Sequence, residues 1–122
     1  MLDHVGIPVQ DLGKSQAFYE AVLKPLRMRL VAGDGINYAG FGAGEHGVFW
    51  LGPSGKPPSR THVAFAAEDR EMVRRFHEAA LEAGAMDNGG PGLRPHYHPD
   101  YYAAFVLDPD GHNIEAVCHK RM

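Results

Sequence analysis

His4-Val5-Gly6-Ile7-Pro8-Val9-Gln10-Asp11 returns, 58 residues further along the chain, as His62-Val63-Ala64-Phe65-Ala66-Ala67-Glu68-Asp69. The match extends outward in one register, with Phe18 on Phe76, Glu20-Ala21 on Glu78-Ala79 and Leu23 on Leu81. Self-similarity at one shift means a single supersecondary unit used twice. The unit opens with a strand: Val5, Ile7 and Val9 alternate with His4, Gly6 and Pro8, the period-2 pattern of a half-buried strand.

A helix follows directly in each copy. Asp11 and Asp69 are suited to the N-cap, where a carboxylate accepts hydrogen bonds from the free N–H groups of the first turn. Phe18, Ala21 and Val22 predict the apolar stripe of the first helix, which ends near Lys24 because Pro25 cannot continue it; Met72, Phe76, Ala79 and Ala83 predict the second. Short strands then alternate with glycine turns, at about 27–32, 36–42 and 48–51 in the first copy. The second copy closes with a hairpin, Tyr101–Leu107 and Asn113–Cys118, joined at Asp108-Pro109-Asp110-Gly111, residues suited to a tight turn. Each copy reads βαβββ, an α+β class. The expected organisation is one domain over residues 1–122, with module 1 at about 1–52, a proline-rich linker at 53–60 and module 2 at about 61–119.

Composition narrows the function. A chain of 122 residues buries roughly two-thirds of its unfolded surface around one core, whereas about 50 residues make a marginal core alone. The hydrophobic fraction of 44% and charged fraction of 22% are those of an ordinary globule, and a net charge of −3 provides no field for nucleic acid. A single cysteine, Cys118, cannot form an internal disulfide, no stretch approaches the roughly 20 apolar residues of a bilayer span, and Met1-Leu2-Asp3-His4 does not read as a signal peptide. A cytoplasmic address without membrane partners is expected.

His4 and His62 hold equivalent places on the opening strands, on the face opposite Val5/Ile7 and Val63/Phe65, and their neighbours Gly6, Ala64 and Ala66 are small enough to leave a cavity. Glu115 shares a face of the last strand with Val117, while Ile114, Ala116 and Cys118 take the other. A carboxylate in a central apolar strand needs a partner. An arginine is one candidate. The other is a divalent ion (Fe, Mn, Zn, Ni or Co) held by two imidazoles and one carboxylate, a set that leaves coordination positions open for substrate.

A His-opened βαβββ module, repeated and closing on Phe105-Val106-Leu107-Asp108-Pro109-Asp110-Gly111-His112-Asn113-Ile114-Glu115, resembles the vicinal oxygen chelate superfamily, which includes glyoxalase I, bleomycin resistance proteins and extradiol dioxygenases. The resemblance implies paired modules wrapping a U-shaped mixed sheet around one metal, with His4, His62 and Glu115 as its ligands, and a homodimer in which each site takes ligands from both chains. It also implies an enzyme acting on a small oxygen-chelating substrate as a lyase, isomerase, ring-cleaving dioxygenase or thiol transferase. The alternative is a metal-free drug-binding protein of the bleomycin-resistance kind. Glyoxalase I enzymes place a further acidic ligand on the last strand of the first module, where this chain has Val48-Phe49-Trp50-Leu51; Glu45, just upstream, serves only in a different strand register.

Gly84–Asp100, rich in glycine and proline, reads as a rim over the site. Arg94 is positioned to hold an anionic substrate group, and His96 and His98 to move a proton at neutral pH. Tyr101 and Tyr102 open the next strand, so one of them faces the cavity; Tyr102 is assigned to catalysis, and Tyr101 and Trp50 to substrate binding. His46, His77, His112 and His119 read as surface or loop residues.

Overall fold

In the computed structural model, which describes residues 1–121, both aspartates act as the repeat predicts. Asp11 Oδ1 accepts from Lys14 N at 3.1 Å and starts α1 (Leu12–Leu23); Asp69 Oδ1 accepts from Met72 N at 2.8 Å and starts α2 (Arg70–Glu82). After α1, Pro25 sits in a short 3-10 turn (Lys24–Leu26) that ends the helix at the expected place. The first module comprises β1 (Val5–Val9), α1, β2 (Arg29–Gly33), β3 (Ala39–Gly42) and β4 (Phe49–Pro53). The second comprises β5 (His62–Ala66), α2, β6 (Met86–Asp87), β7 (Gly92–Leu93), β8 (Tyr102–Leu107) and β9 (Asn113–Cys118).

Two corrections arise here. The rim segment carries two strands of two residues each, both paired to β8, because Gly89-Gly90-Pro91 interrupts what would otherwise be one strand. The helix stripes also sit rotated from the expected ones. Val73 and Ala80 are buried with Met72 and Phe76, while Ala83 is exposed; in α1, Tyr19 joins Phe18 and Val22 inside, while Ala21 is exposed.

Each module forms its own mixed sheet, ordered β1-β4-β3-β2 and β5-β9-β8-β6, with the first strand parallel to the last and the other pairs antiparallel. β1 and β5 are therefore both edge strands, with one row of backbone groups unpaired by any strand of the chain. The helices cover one face of the sheets. Ile7, Val9, Phe41, Phe49 and Leu51 of the first sheet and Phe65, Val106, Ile114 and Ala116 of the second form one continuous core with the buried residues of α1 and α2. Phe49 and Phe65 join them edge to face, with ring centroids 5.0 Å apart.

A buried polar knot ties the modules together. Asp108 Oδ2 accepts from the Tyr19 hydroxyl at 2.5 Å, and its Oδ1 accepts from the backbone N–H groups of Asp110 and His112, both at 2.9 Å. Burial and the adjacent Asp108 carboxylate push the Tyr19 phenol well above its usual range. His112, expected at the surface, is fully buried: Nδ1 accepts from Thr61 N at 3.0 Å and Nε2 donates to Pro8 O at 2.8 Å. Asp110 reaches back to Gln10 N at 3.0 Å. Gly111 closes the turn at φ +85°, a conformation that costs other residues strain, with its N–H on Asp108 O.

Tyr19→Phe keeps the ring and removes the one donor to Asp108 Oδ2. Because hydrogen bonds to charged groups contribute roughly 1.5–3 kcal/mol, chemical denaturation of the variant is expected to show a loss of that size, with an unchanged m-value.

Candidate metal and substrate site

The faces of the sheets away from the helices carry the candidate residues. Glu115 on β9 lies between Ala64 of β5 and Phe105 of β8 in register, and His62, two residues before Ala64, points to the same face. His62 Nε2 lies 2.8 Å from Glu115 Oε1, and the Tyr101 hydroxyl donates to Glu115 Oε2. The Glu115 side chain is 1% exposed while that of His62 is 52% exposed, so the carboxylate is sunk in the sheet and the imidazole is open to solvent. Among the described residues the Glu115 carboxylate has no lysine or arginine in ion-pair contact, so the arginine partner admitted by the sequence is not what satisfies it.

Tyr101 is the tyrosine that faces the cavity. Burial and the Glu115 carboxylate push its phenol up to about 12. Tyr102 turns toward the helix layer, where its hydroxyl accepts from Arg74 at 3.2 Å and its ring lies under Arg70 at 5.0 Å. Arg94 lies across Phe105, its guanidinium carbon 5.3 Å from the ring centroid, and donates to the carbonyls of Gly92 and Gly90, both at 2.8 Å. The ring of Tyr97 packs on Tyr101 (5.0 Å) and on His96 (4.2 Å). His98 Nδ1 accepts from Asp100 N at 3.1 Å, which leaves the proton of the neutral ring on Nε2. His119, read from sequence as a surface residue, is exposed, yet it stands against both Tyr101 (5.1 Å) and His98 (5.7 Å). Its place on the face shared by Val117 and Glu115, two and four positions back, is the signal that marks it.

The first sheet holds His4 and Trp50. His4 lies just before β1, its side chain 59% exposed and its Nδ1 2.7 Å from Asp3 Oδ1. With Asp3, His46, Gly47 and Trp50 it lines a hollow of about 410 Å³. The indole of Trp50 donates to Gly47 O at 3.1 Å and lies flat over Gly40, where an added Cβ would come within 2.4 Å of Cζ3. The other side of Trp50 borders a second hollow of about 400 Å³ with Tyr38, Gly6 and Pro8. Glu45 is exposed in the loop before β4, outside the strand. Within the chain the structure thus brings together His62, Glu115 and Tyr101, and leaves His4 and Trp50 on the other sheet.

A family model described as the Glyoxalase/Bleomycin resistance protein/Dioxygenase superfamily matches residues 1–116. The chain belongs to this superfamily. A solved structure of a glyoxalase/bleomycin resistance protein from Albidiferax ferrireducens is 30% identical, with a TM-score of 0.82 over 97% of this chain and 98% of that one. A putative glyoxalase from Bacillus halodurans is 26% identical, with a TM-score of 0.70 over 97% and 95% of the two chains. The fosfomycin resistance protein FosX from Mesorhizobium loti, at 22% identity and a TM-score of 0.70 over 97% and 91%, shares the fold. No curated protein matches the chain.

Superfamily members commonly bind a divalent metal, and two places in this chain offer donors for one. Among the described residues, Asp108, Asp110 and His112 are the one group of three whose ligand atoms lie within 4.8 Å of each other. Those atoms are already committed. Both nitrogens of His112 and both oxygens of Asp108 are bonded, and an ion there would have to break the knot between the modules. The His62–Glu115 pair fits better: two ligands at right angles around an ion at about 2.1 Å are roughly 3 Å apart, close to the 2.8 Å seen, and a buried carboxylate lacking a cationic partner favours a cation.

Trp50 is the sole tryptophan, so its emission under selective excitation reports on the first sheet alone. Gly40→Ala is expected to lift the indole from its seat and shift the emission maximum to the red, whereas Gly44→Ala, where an added Cβ meets open space, leaves the spectrum unchanged.

Proposed function

We propose that the chain is a divalent-metal-dependent enzyme acting on a small substrate that presents two neighbouring oxygens. The observation that carries this reading is the juxtaposition of His62 Nε2 and Glu115 Oε1 on an open sheet face, with no lysine or arginine among the described residues in ion-pair contact with the buried carboxylate. His62 and Glu115 hold the ion, and His4 of a second copy completes the set. The outer edges of β1 and β5 support a dimer of this kind, since each ends a sheet next to one of the two histidines. No helix among the described residues is long and apolar enough to cross a membrane.

A divalent ion held there supplies a Lewis acid for charge developing on a substrate oxygen. The chain's own residues do the rest. Arg94, fixed over Phe105 by two carbonyls, offers its remaining N–H groups to an anionic substituent without paying to order its side chain. His98, with its proton on Nε2, is set to donate a hydrogen bond to a substrate oxygen, while the exposed His96 is free to accept a proton. Trp50, which lines the same hollow as His4, comes with it from the second copy and provides a flat apolar wall.

A second reading, a metal-free small-molecule binder, is favoured by one observation: Glu115 is already hydrogen-bonded at both oxygens, by His62 and Tyr101. Elemental mass spectrometry on untagged protein separates the two. Near-stoichiometric metal in the wild type, lost in folded His4→Ala, His62→Ala and Glu115→Ala variants but kept in Asp110→Asn, is the expected result. No metal after reconstitution would establish the binder instead. Mixing His4→Ala with Glu115→Ala subunits is expected to restore about a quarter to half of the metal when each site draws on two chains, and none when one chain builds the site alone.

A further inference from the structure

We infer that Tyr101 is a positioning residue that confines Glu115 to one-oxygen coordination, by occupying Oε2 and leaving Oε1 beside His62 for the ion. This rests on the metal reading above.

The two oxygens of Glu115 have different surroundings. Oε1 faces His62 Nε2 at 2.8 Å, and Oε2 takes the Tyr101 hydroxyl. A carboxylate that grips an ion with both oxygens places it on their bisector, where it competes with the phenol for the lone pairs of Oε2. With the phenol in place, the available direction is from Oε1, on the His62 side. Ligating carboxylates whose free oxygen is hydrogen-bonded in this way hold their orientation, and loss of such an outer partner typically weakens metal affinity about 10–100-fold.

Tyr101 is itself held from several sides. Its carbonyl accepts from Arg94 N at 2.7 Å, its N–H donates to His98 O at 3.1 Å, and its ring meets Tyr97 and His119 at 5.0 and 5.1 Å. The phenol thus reports the conformation of the rim 94–98 to Glu115, so a substrate that displaces the rim also alters the hold on the carboxylate. Tyr101 acts here through Glu115, a role additional to the substrate contact expected from the sequence.

Titration with Co(II), followed by its visible absorption, tests this without any substrate. Tyr101→Phe is expected to keep the wild-type melting temperature within a few degrees, to bind Co(II) about 10–100-fold more weakly, and to show weaker visible bands as the freed second oxygen joins the ion and raises its coordination number. If Tyr101→Phe fails to fold, Tyr101→Leu takes its place with the same expected results. Wild-type affinity and an unchanged spectrum in a folded variant would overturn the inference while leaving the metal reading intact. A wild type that takes up no Co(II) would overturn both.

Discussion

Asp108 is the point on which the two halves of this molecule turn. Its carboxylate is buried, and all three groups that satisfy it are donors rather than cations: the Tyr19 phenol from module 1 and two backbone N–H groups from its own turn. An isolated buried carboxylate is costly, so the geometry that satisfies it is tightly specified. His112 completes the constraint with a donor and an acceptor in fixed places, Pro8 O and Thr61 N–H, which selects one tautomer of the neutral ring. The apolar core holds the helices on the sheets; this polar knot determines how the β8–β9 turn sits against β1 and α1.

The knot also explains why Glu115 lies where it does. β9 begins at Asn113, the residue after His112, and its N–H bonds to Thr61 O, so the register of β9 against β5 is pinned at its first residue. Glu115 is then brought beside Ala64 and Phe105, on the face away from the helices, and a slip by one residue would turn it into the core and Ile114 outward. One carboxylate, Asp108, is satisfied entirely by donors and closes the fold. The other, Glu115, is buried with an imidazole and a phenol, and remains available to a cation on an open face.

Much of this was legible in the sequence. The repeat gave both modules, the aspartate caps located both helix starts, and the alternation in Asn113–Cys118 correctly separated Glu115 from Ile114 and Ala116. Less was legible where a property belongs to packing. His112 follows a turn motif and reads as exposed, because nothing local indicates that the turn is plugged against another module. The α2 stripe was misplaced since Ala79 and Ala80 are adjacent and equally apolar, so residue type alone does not decide which one is buried. Tyr101 and Tyr102 are adjacent, so period-2 alternation requires that they diverge, but the choice between them depends on β8 pairing with β9. The meeting of His62 with Glu115 spans 53 residues and could only be expected through the fold.

The knot joins residues that are far apart in the chain: Tyr19 and Asp108 are separated by 89 positions, and Pro8 and His112 by 104. At synthesis rates of about 5–20 residues per second, Tyr19 is added to the chain roughly 4–18 s before Asp108. During that interval module 1 is a stretch of about 50 residues, a marginal core on its own, without the side chains that the second module adds to the shared core. The first half therefore waits on the last part of the chain, because the knot closes only once Asp108 and His112 have both been made.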